Sequence, residues 1–184
     1  MSSPENAVTV KSPIRRHLLL GLALGAAALA GGCFQPLYAD YTLSKTGGSV
    51  KDALRSIEFP EIKGLMGHYL RNELVFELDG SGDPDATKRL RFETSLAENI
   101  EVITVDYLNA RADSAVLVAR ADWRVTDIAT SKVVSSGSNV VRMPYERSSQ
   151  RFATVRAARD AQIRAAKNLA TLIRGQIAAD LART

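Results

Sequence analysis

The sequence predicts an α/β (α+β) domain: a four-stranded mixed sheet with two helices packed on one face, the second being a long C-terminal helix. Three observations predict it. Apolar and polar residues alternate with period two in three segments between residues 88 and 142, the pattern of half-buried strands. From Ser148 to Arg183 there is no proline and a single glycine, Gly175, with apolar residues recurring at steps of three or four. Ahead of the three strands stands a strand–helix pair. A strand–helix–strand opening implies a parallel pair joined by a right-handed crossover, and the shorter connections that follow imply an antiparallel meander.

Val50–Phe59 alternates weakly through Val50, Leu54 and Ile57 and stops at Pro60, which predicts a first, edge-like strand. Ile62–Leu78 carries Ile62, Leu65, Met66, Tyr69, Leu70 and Leu74 at helical spacing, with Gly64 and Gly67 weakening its start. The run Asp79-Gly80-Ser81-Gly82-Asp83-Pro84 closes that helix. Lys88–Ile103 places Leu90, Phe92, Thr94 and Leu96 on one face, with Arg91, Glu93 and Ser95 on the other. Asp106–Ser114 is polar and predicts a connection. Ala115–Asp127 turns Leu117, Ala119, Ala121, Trp123 and Val125 inward. Lys132–Arg142 supplies the last strand, where Ser136-Gly137-Ser138 suggests a bulge. The final helix draws on Phe152, Val155, Ile163, Ala166, Leu169, Ile173, Ile177 and Leu181, with Ser148 or Ser149 as its N-cap. Alternating strand directions then place the connections carrying Arg111 and Arg147 at one end of the sheet, and the beginning of the first strand at the other.

Upstream of this domain lies a different kind of sequence. Residues 1–17 end in Ile14-Arg15-Arg16-His17, and Leu18–Ala30 is a run of thirteen residues without a charge. A bilayer-spanning helix takes ~20 apolar residues, whereas the apolar core of an export signal takes ~7–15, so the length fits an export signal. Gly31 and Gly32 supply the small residues ahead of Cys33, the only cysteine in the chain, with Ala30 where an aliphatic residue is commonest. The organisation that follows is 1–32 as a lipoprotein signal peptide that is removed, 33–49 as a tether beginning at a lipidated Cys33, and 50–184 as one globular domain. A covalent lipid on Cys33 is the only non-protein group expected. No other cofactor and no metal is.

Without the leader the chain holds 21 basic and 19 acidic residues and is nearly neutral. The charge is uneven: residues 142–184 carry nine basic and three acidic residues, while 33–141 carry twelve and sixteen. A basic end segment attracts an anionic partner or simply forms a solvated helix face. The chemistry of an enzyme is missing. His68 is the single histidine after the leader, and no G-x-S-x-G elbow, HExxH pair or P-loop occurs. One cysteine rules out an internal disulfide framework and a multi-cysteine zinc site. Arginines without an aromatic stacking platform argue against nucleic acid as a partner. Enzyme readings are therefore weak, and binding or assembly is the expectation.

At the junction Gly31-Gly32-Cys33-Phe34-Gln35-Pro36-Leu37-Tyr38, in the element order, and in Tyr145-x-x-Ser148-Ser149-Gln150-Arg151-Phe152-Ala153 and Ile173-Arg174-Gly175-Gln176-Ile177, the chain resembles the LPS-assembly lipoprotein family LptE. The resemblance covers essentially all of the chain after the leader, on short motifs. It lacks the glycine that commonly follows the family's cysteine. What the resemblance implies is an outer-membrane lipoprotein, on the periplasmic face and held by its lipid (palmitate among the acyl groups), which plugs the LptD β-barrel. It would assist the assembly of that barrel and the insertion of lipopolysaccharide into the outer leaflet. Phe34, not Asp, after the cysteine agrees with outer-membrane sorting. Arg111, Arg147 and Arg151 become the candidates for the lipopolysaccharide phosphates, which guanidinium groups bind in bidentate fashion. Two other classes stay open: an accessory lipoprotein of a lipid-exporting ABC transporter, and an envelope hydrolase with an unrecognised site.

Overall fold

The structure, a computed structural model, describes residues 42–79, 87–106 and 111–182. The leader, Cys33 and the first part of the expected tether lie outside the described residues. The element order is α1 (Val50–Arg55), β1 (Ile57–Glu58), α2 (Leu65–Asp79), β2 (Leu90–Asp106), β3 (Arg111–Asp127), β4 (Val133–Glu146) and α3 (Arg151–Ala182). The strands form one sheet in the order β1-β2-β3-β4, with β1 parallel to β2 and the other pairs antiparallel. The mixed four-stranded sheet and the long C-terminal helix are those the sequence predicts.

The first segment differs. Val50–Arg55 is helical, so three helices are present among the described residues instead of two, and the expected strand shrinks to Ile57 and Glu58. The reason is a cap. The Asp52 backbone N–H donates to Ser49 Oγ at 3.1 Å, and the Ser49 hydroxyl donates to Asp52 Oδ2 at 2.7 Å. The first bond satisfies an amide that a helix start otherwise leaves unmatched, and the second fixes the capping hydroxyl in place. The Ser49 hydroxyl also holds the Asp52 carboxyl below the usual carboxylate range. Val50, Ala53 and Leu54 then fall on one buried face. Ordered structure also reaches ahead of Val50. Thr42 and Ser44 are buried, Val50 N–H donates to Thr42 O, and Lys45 N–H donates to Leu181 O at 3.1 Å.

β2 and β3 are longer than the alternation suggests. Of the polar stretch expected as a connection, Asp106 and Arg111–Ser114 are strand and residues 107–110 lie outside the described residues; Arg111 opens β3 opposite Asp106. The bulge expected at Ser136-Gly137-Ser138 is absent, since Ser136, Gly137 and Ser138 pair in unbroken register with Arg124, Trp123 and Asp122. The irregularity falls at Val125/Thr126 instead. Gly137 has a different cause: a Cβ there would stand 2.8 Å from Trp123 Cζ2 and 2.8 Å from Gln176 Nε2. The Trp123 indole lies against Phe92, which in turn meets Phe59, at ring separations of 6.1 and 5.4 Å, and its N–H donates to Asn139 Oδ1 at 2.7 Å.

The helices of the described residues lie on one side of the sheet. That face contributes Leu90, Phe92, Leu117, Ala119, Ala121, Trp123, Val125 and Val141 to a core completed by Met66, Leu70, Leu74 and Leu78 of α2. From α3 come Ala161, Ala165, Ala166, Leu169, Ala170, Ile173, Ile177, Ala178 and Leu181. Burying each Leu or Ile side chain is worth ~1.5–3 kcal/mol, so this single layer holds the fold. Leu65 shares a groove with Arg159 and Gln162, and Glu77 pairs with Arg174 at 2.6 Å, so α2 and α3 run parallel. The end of the sheet where α3 starts is here termed upper; the Lys45–Leu181 contact marks the lower end. At 1.5 Å per residue α3 spans ~48 Å. Its first turns overhang: no residue from 151 to 160 is buried, and Phe152 and Val155, expected in the core, are 86% and 59% exposed.

Two glycines in helices should respond oppositely to alanine. At Gly67 a Cβ would meet Ile62 O at 2.6 Å, so Gly67→Ala should cost about 1–3 kcal/mol despite alanine's better helix propensity. At Gly175 nothing lies within 4 Å, and Gly175→Ala should stabilise by about 0.5–1 kcal/mol. Denaturant melts of the two variants would decide; the same sign for both would contradict the packing described.

Candidate functional site

The face of the sheet turned away from the helices is polar because the strand period sends every second side chain there. It is tiled with paired charges. Arg91 meets Glu58 at 3.1 Å, Arg124 meets Glu93 at 2.6 Å, and Arg120 grips Asp122 through two 2.9 Å hydrogen bonds. Arg142 pairs with Glu101. All four pairs are substantially exposed, so each adds little stability. Their effect is on the surface itself, which presents charge already matched and offers no large excess of either sign. The Arg120 guanidinium, helped by Ser138, lowers the Asp122 carboxyl to about 2, and Asp122 in turn raises Arg120.

The upper end gathers the arginines singled out in the sequence. Arg111 is the first residue of β3, and the Arg147 N–H donates to Asp113 O at 2.9 Å, which ties the segment after β4 to that strand. The turn into α3 is fixed by its own side chains. Ser148 N–H donates to Thr154 Oγ1, Thr154 Oγ1 donates to Ser148 O, and Gln150 N–H donates to Ser148 Oγ, all within 3.0 Å. Arg147 is thus half-buried on a rigid turn, and Arg151 is exposed at the first turn of the helix. Cys33, the lipidation candidate, lies outside the described residues.

Beneath the overhang of α3 is a groove of about 630 Å³ that the sequence did not reveal. Leu65, Ile100, Tyr145 and Val155 give it apolar walls, and Arg159 stands at its side. Gln162 Nε2 donates to Glu98 Oε2 at 2.7 Å across it. A signal did exist, in Ile100, Val102 and Ile103 continuing an apolar run beyond the point where α3 begins to bury residues. His68 is exposed on α2 and within 3.1 Å of Asn72 Nδ2. Among the described residues no cluster of His, Cys, Asp and Glu has the grouping a metal needs, and no helix is long and apolar enough to cross a membrane.

The fold is similar to that of a candidate lipoprotein from Caulobacter crescentus CB15, with a TM-score of 0.61, 26% identity, and coverage of 73% of this chain and 97% of that one. A minor lipoprotein from Acinetobacter baumannii (TM-score 0.43, 13% identity, 67% and 91% covered) and rare lipoprotein B from Shewanella oneidensis (0.41, 14%, 65% and 92%) match more loosely. The latter two are too distant in shape to carry an argument. No family model and no curated protein matches the chain. The Caulobacter protein superposes well and is described as a lipoprotein, which supports that class for the fold seen here.

The paired sheet face has a pH signature. Asp122 binds its proton more weakly folded than unfolded, so its contribution is complete above the ordinary 3.8 and is lost as pH falls toward about 2. Asp122→Asn should lower stability near pH 7 and flatten its fall across that window, so that the two proteins converge as the pH nears 2. Equally steep acid titrations of the two proteins would contradict the pairing.

Proposed function

We propose that the protein is an outer-membrane lipoprotein, anchored through lipid on Cys33, that seats inside an LptD-like β-barrel and assists both the barrel's assembly and the delivery of lipopolysaccharide. The observation that carries this reading is the one-sided build of the domain. Three helices close one face of the sheet, and the other is left as a layer of matched charges at Arg91–Glu58, Arg124–Glu93, Arg120–Asp122 and Arg142–Glu101. Such a surface suits the polar interior of a large barrel, where its matched charges stay hydrated. The export-type leader ending at one cysteine supports the anchor, and the similar Caulobacter protein is itself a candidate lipoprotein.

Polarity along the domain supports the assignment of ends. The first described residues pack beside Leu181 at the lower end, while Arg111, Arg147 and Arg151 belong to the upper one. A lipid anchor reached through the lower end would leave the arginine-bearing end away from it, available to the phosphates of lipopolysaccharide. Several acyl chains, as on a bacterial lipoprotein, hold such an anchor where one chain would not.

Depleting the protein should reduce both the mature, heat-modifiable barrel and surface lipopolysaccharide; unchanged levels of both would remove the proposal. Arg147→Glu combined with Arg151→Glu should weaken lipopolysaccharide binding by about tenfold or more, at ~1.5–3 kcal/mol per charged hydrogen bond lost. Undiminished binding would remove the arginine assignment and leave the barrel reading in place.

A further inference from the structure

The sheet has two long edges, and they are not alike. On β4, Pro144 removes one backbone donor, and Arg164 Nη2 donates to Pro144 O at 3.0 Å while Nη1 lies 3.8 Å from the Met143 sulfur. Proline and a cation laid on an edge are ordinary ways of keeping other strands away. On β2, the outer edge is covered by β1 only at Leu90 and Arg91. Above that point β2 has β3 on one side and, among the described residues, no strand on the other, for the rest of its 17 residues.

The open stretch, which includes Glu98 and Glu101, also shows apolar side chains on both faces. Ile100, Val102 and Ile103 are 53%, 47% and 62% exposed. It contains no proline and no lysine, and its register shifts begin only after Val102. On the helix side, Glu98, Asn99 and Ile100 border the groove whose other walls are Leu65 of α2 and Val155 of α3. A free row of backbone donors and acceptors next to an apolar groove is the arrangement that accepts an added β-strand, with main-chain bonds for affinity and the groove for alternate side chains.

We infer that residues 96–103 of β2 are a strand-addition site, occupied by an extended segment of the barrel partner that lies above β1 and places alternate aliphatic side chains over Leu65, Ile100 and Val155. This rests on the barrel reading and adds to it the surface and the mode of contact. Seven or eight residues of partner chain, ~25 Å when extended, would cover the stretch. The blunted β4 edge gives the contact its direction, since only one side of the sheet can be extended.

Backbone hydrogen exchange on the full chain, free and co-purified with its barrel, tests this. In the complex the amides of 96–103 should slow by at least tenfold, while those along the edge of β4 do not. The paired variant Ile100→Lys, Val102→Lys, at exposed positions that the core does not use, should reduce the barrel recovered by about tenfold; Val140→Lys on β4 should not. A complex in which 96–103 exchanges as fast as in the free chain overturns strand addition and leaves the barrel reading standing. Equal slowing on both edges means enclosure alone and also overturns it. Slowing in the free chain that grows with concentration assigns the edge to a second copy and overturns the heterologous contact. Failure to recover any barrel counts against the barrel reading itself.

Discussion

The seating of α3 on the sheet is the constraint on which the rest of the domain depends. Its buried face is lined by Ala161, Ala165, Ala166, Ala170 and Ala178, interleaved with Leu169, Ile173, Ile177 and Leu181. Short side chains let a helix lie close to what it covers, and the larger ones then reach between its neighbours. Because α3 also carries α2 alongside it, one helix organises the whole covered layer. With that layer on one side only, the opposite face must be hydrated, and the paired arginines and carboxylates on it follow from that requirement.

The same seating determines where the domain is incomplete. α3 has no fully buried residue before Ala161 and reaches the core there only through half-buried Ala157 and Ala158, which leaves the groove near Ile100 and Val155. β1 covers two residues of β2 and then departs toward α2, held by Arg71 Nε donating to Phe59 O at 2.8 Å. Both gaps open at the upper end, which is also where the Arg147 turn is fixed. Lower down, Trp123, Phe92 and Phe59 close the layer without a gap. A rigid lower body thus carries an upper end with apolar, cationic and unpaired backbone groups side by side, a combination that a domain working alone would have reason to bury.

Much of this was legible in the sequence, for identifiable reasons. Leu117, Ala119, Ala121, Trp123 and Val125 alternate strictly, and a half-buried strand is the only element with that period. The absence of proline from Ser148 onward announced α3. Its buried face was harder to read, because alanine contributes little to a hydrophobic stripe. Phe152, Val155 and Ile163 drew attention while Ala161 and Ala165 did the packing. α1 was hidden by sparse charges that imitate alternation, although Ser49 and Asp52 at capping distance were there to be weighed. Arg147 and Arg151 were recognisable as an arginine-bearing turn. The free edge of β2 was not, since it depends on where β1 stops, and no local pattern around residues 96–103 encodes that.

The central claim is that this is a lipid-anchored protein whose partner is an outer-membrane barrel. Purifying the full-length chain from detergent-extracted membranes of its own cell tests that claim most directly. A heat-modifiable β-barrel recovered in equal amount, with the chain beginning at a lipid-modified Cys33, is the result predicted. An inner-membrane ATPase complex in its place, or a chain that keeps residues 1–32, would contradict it.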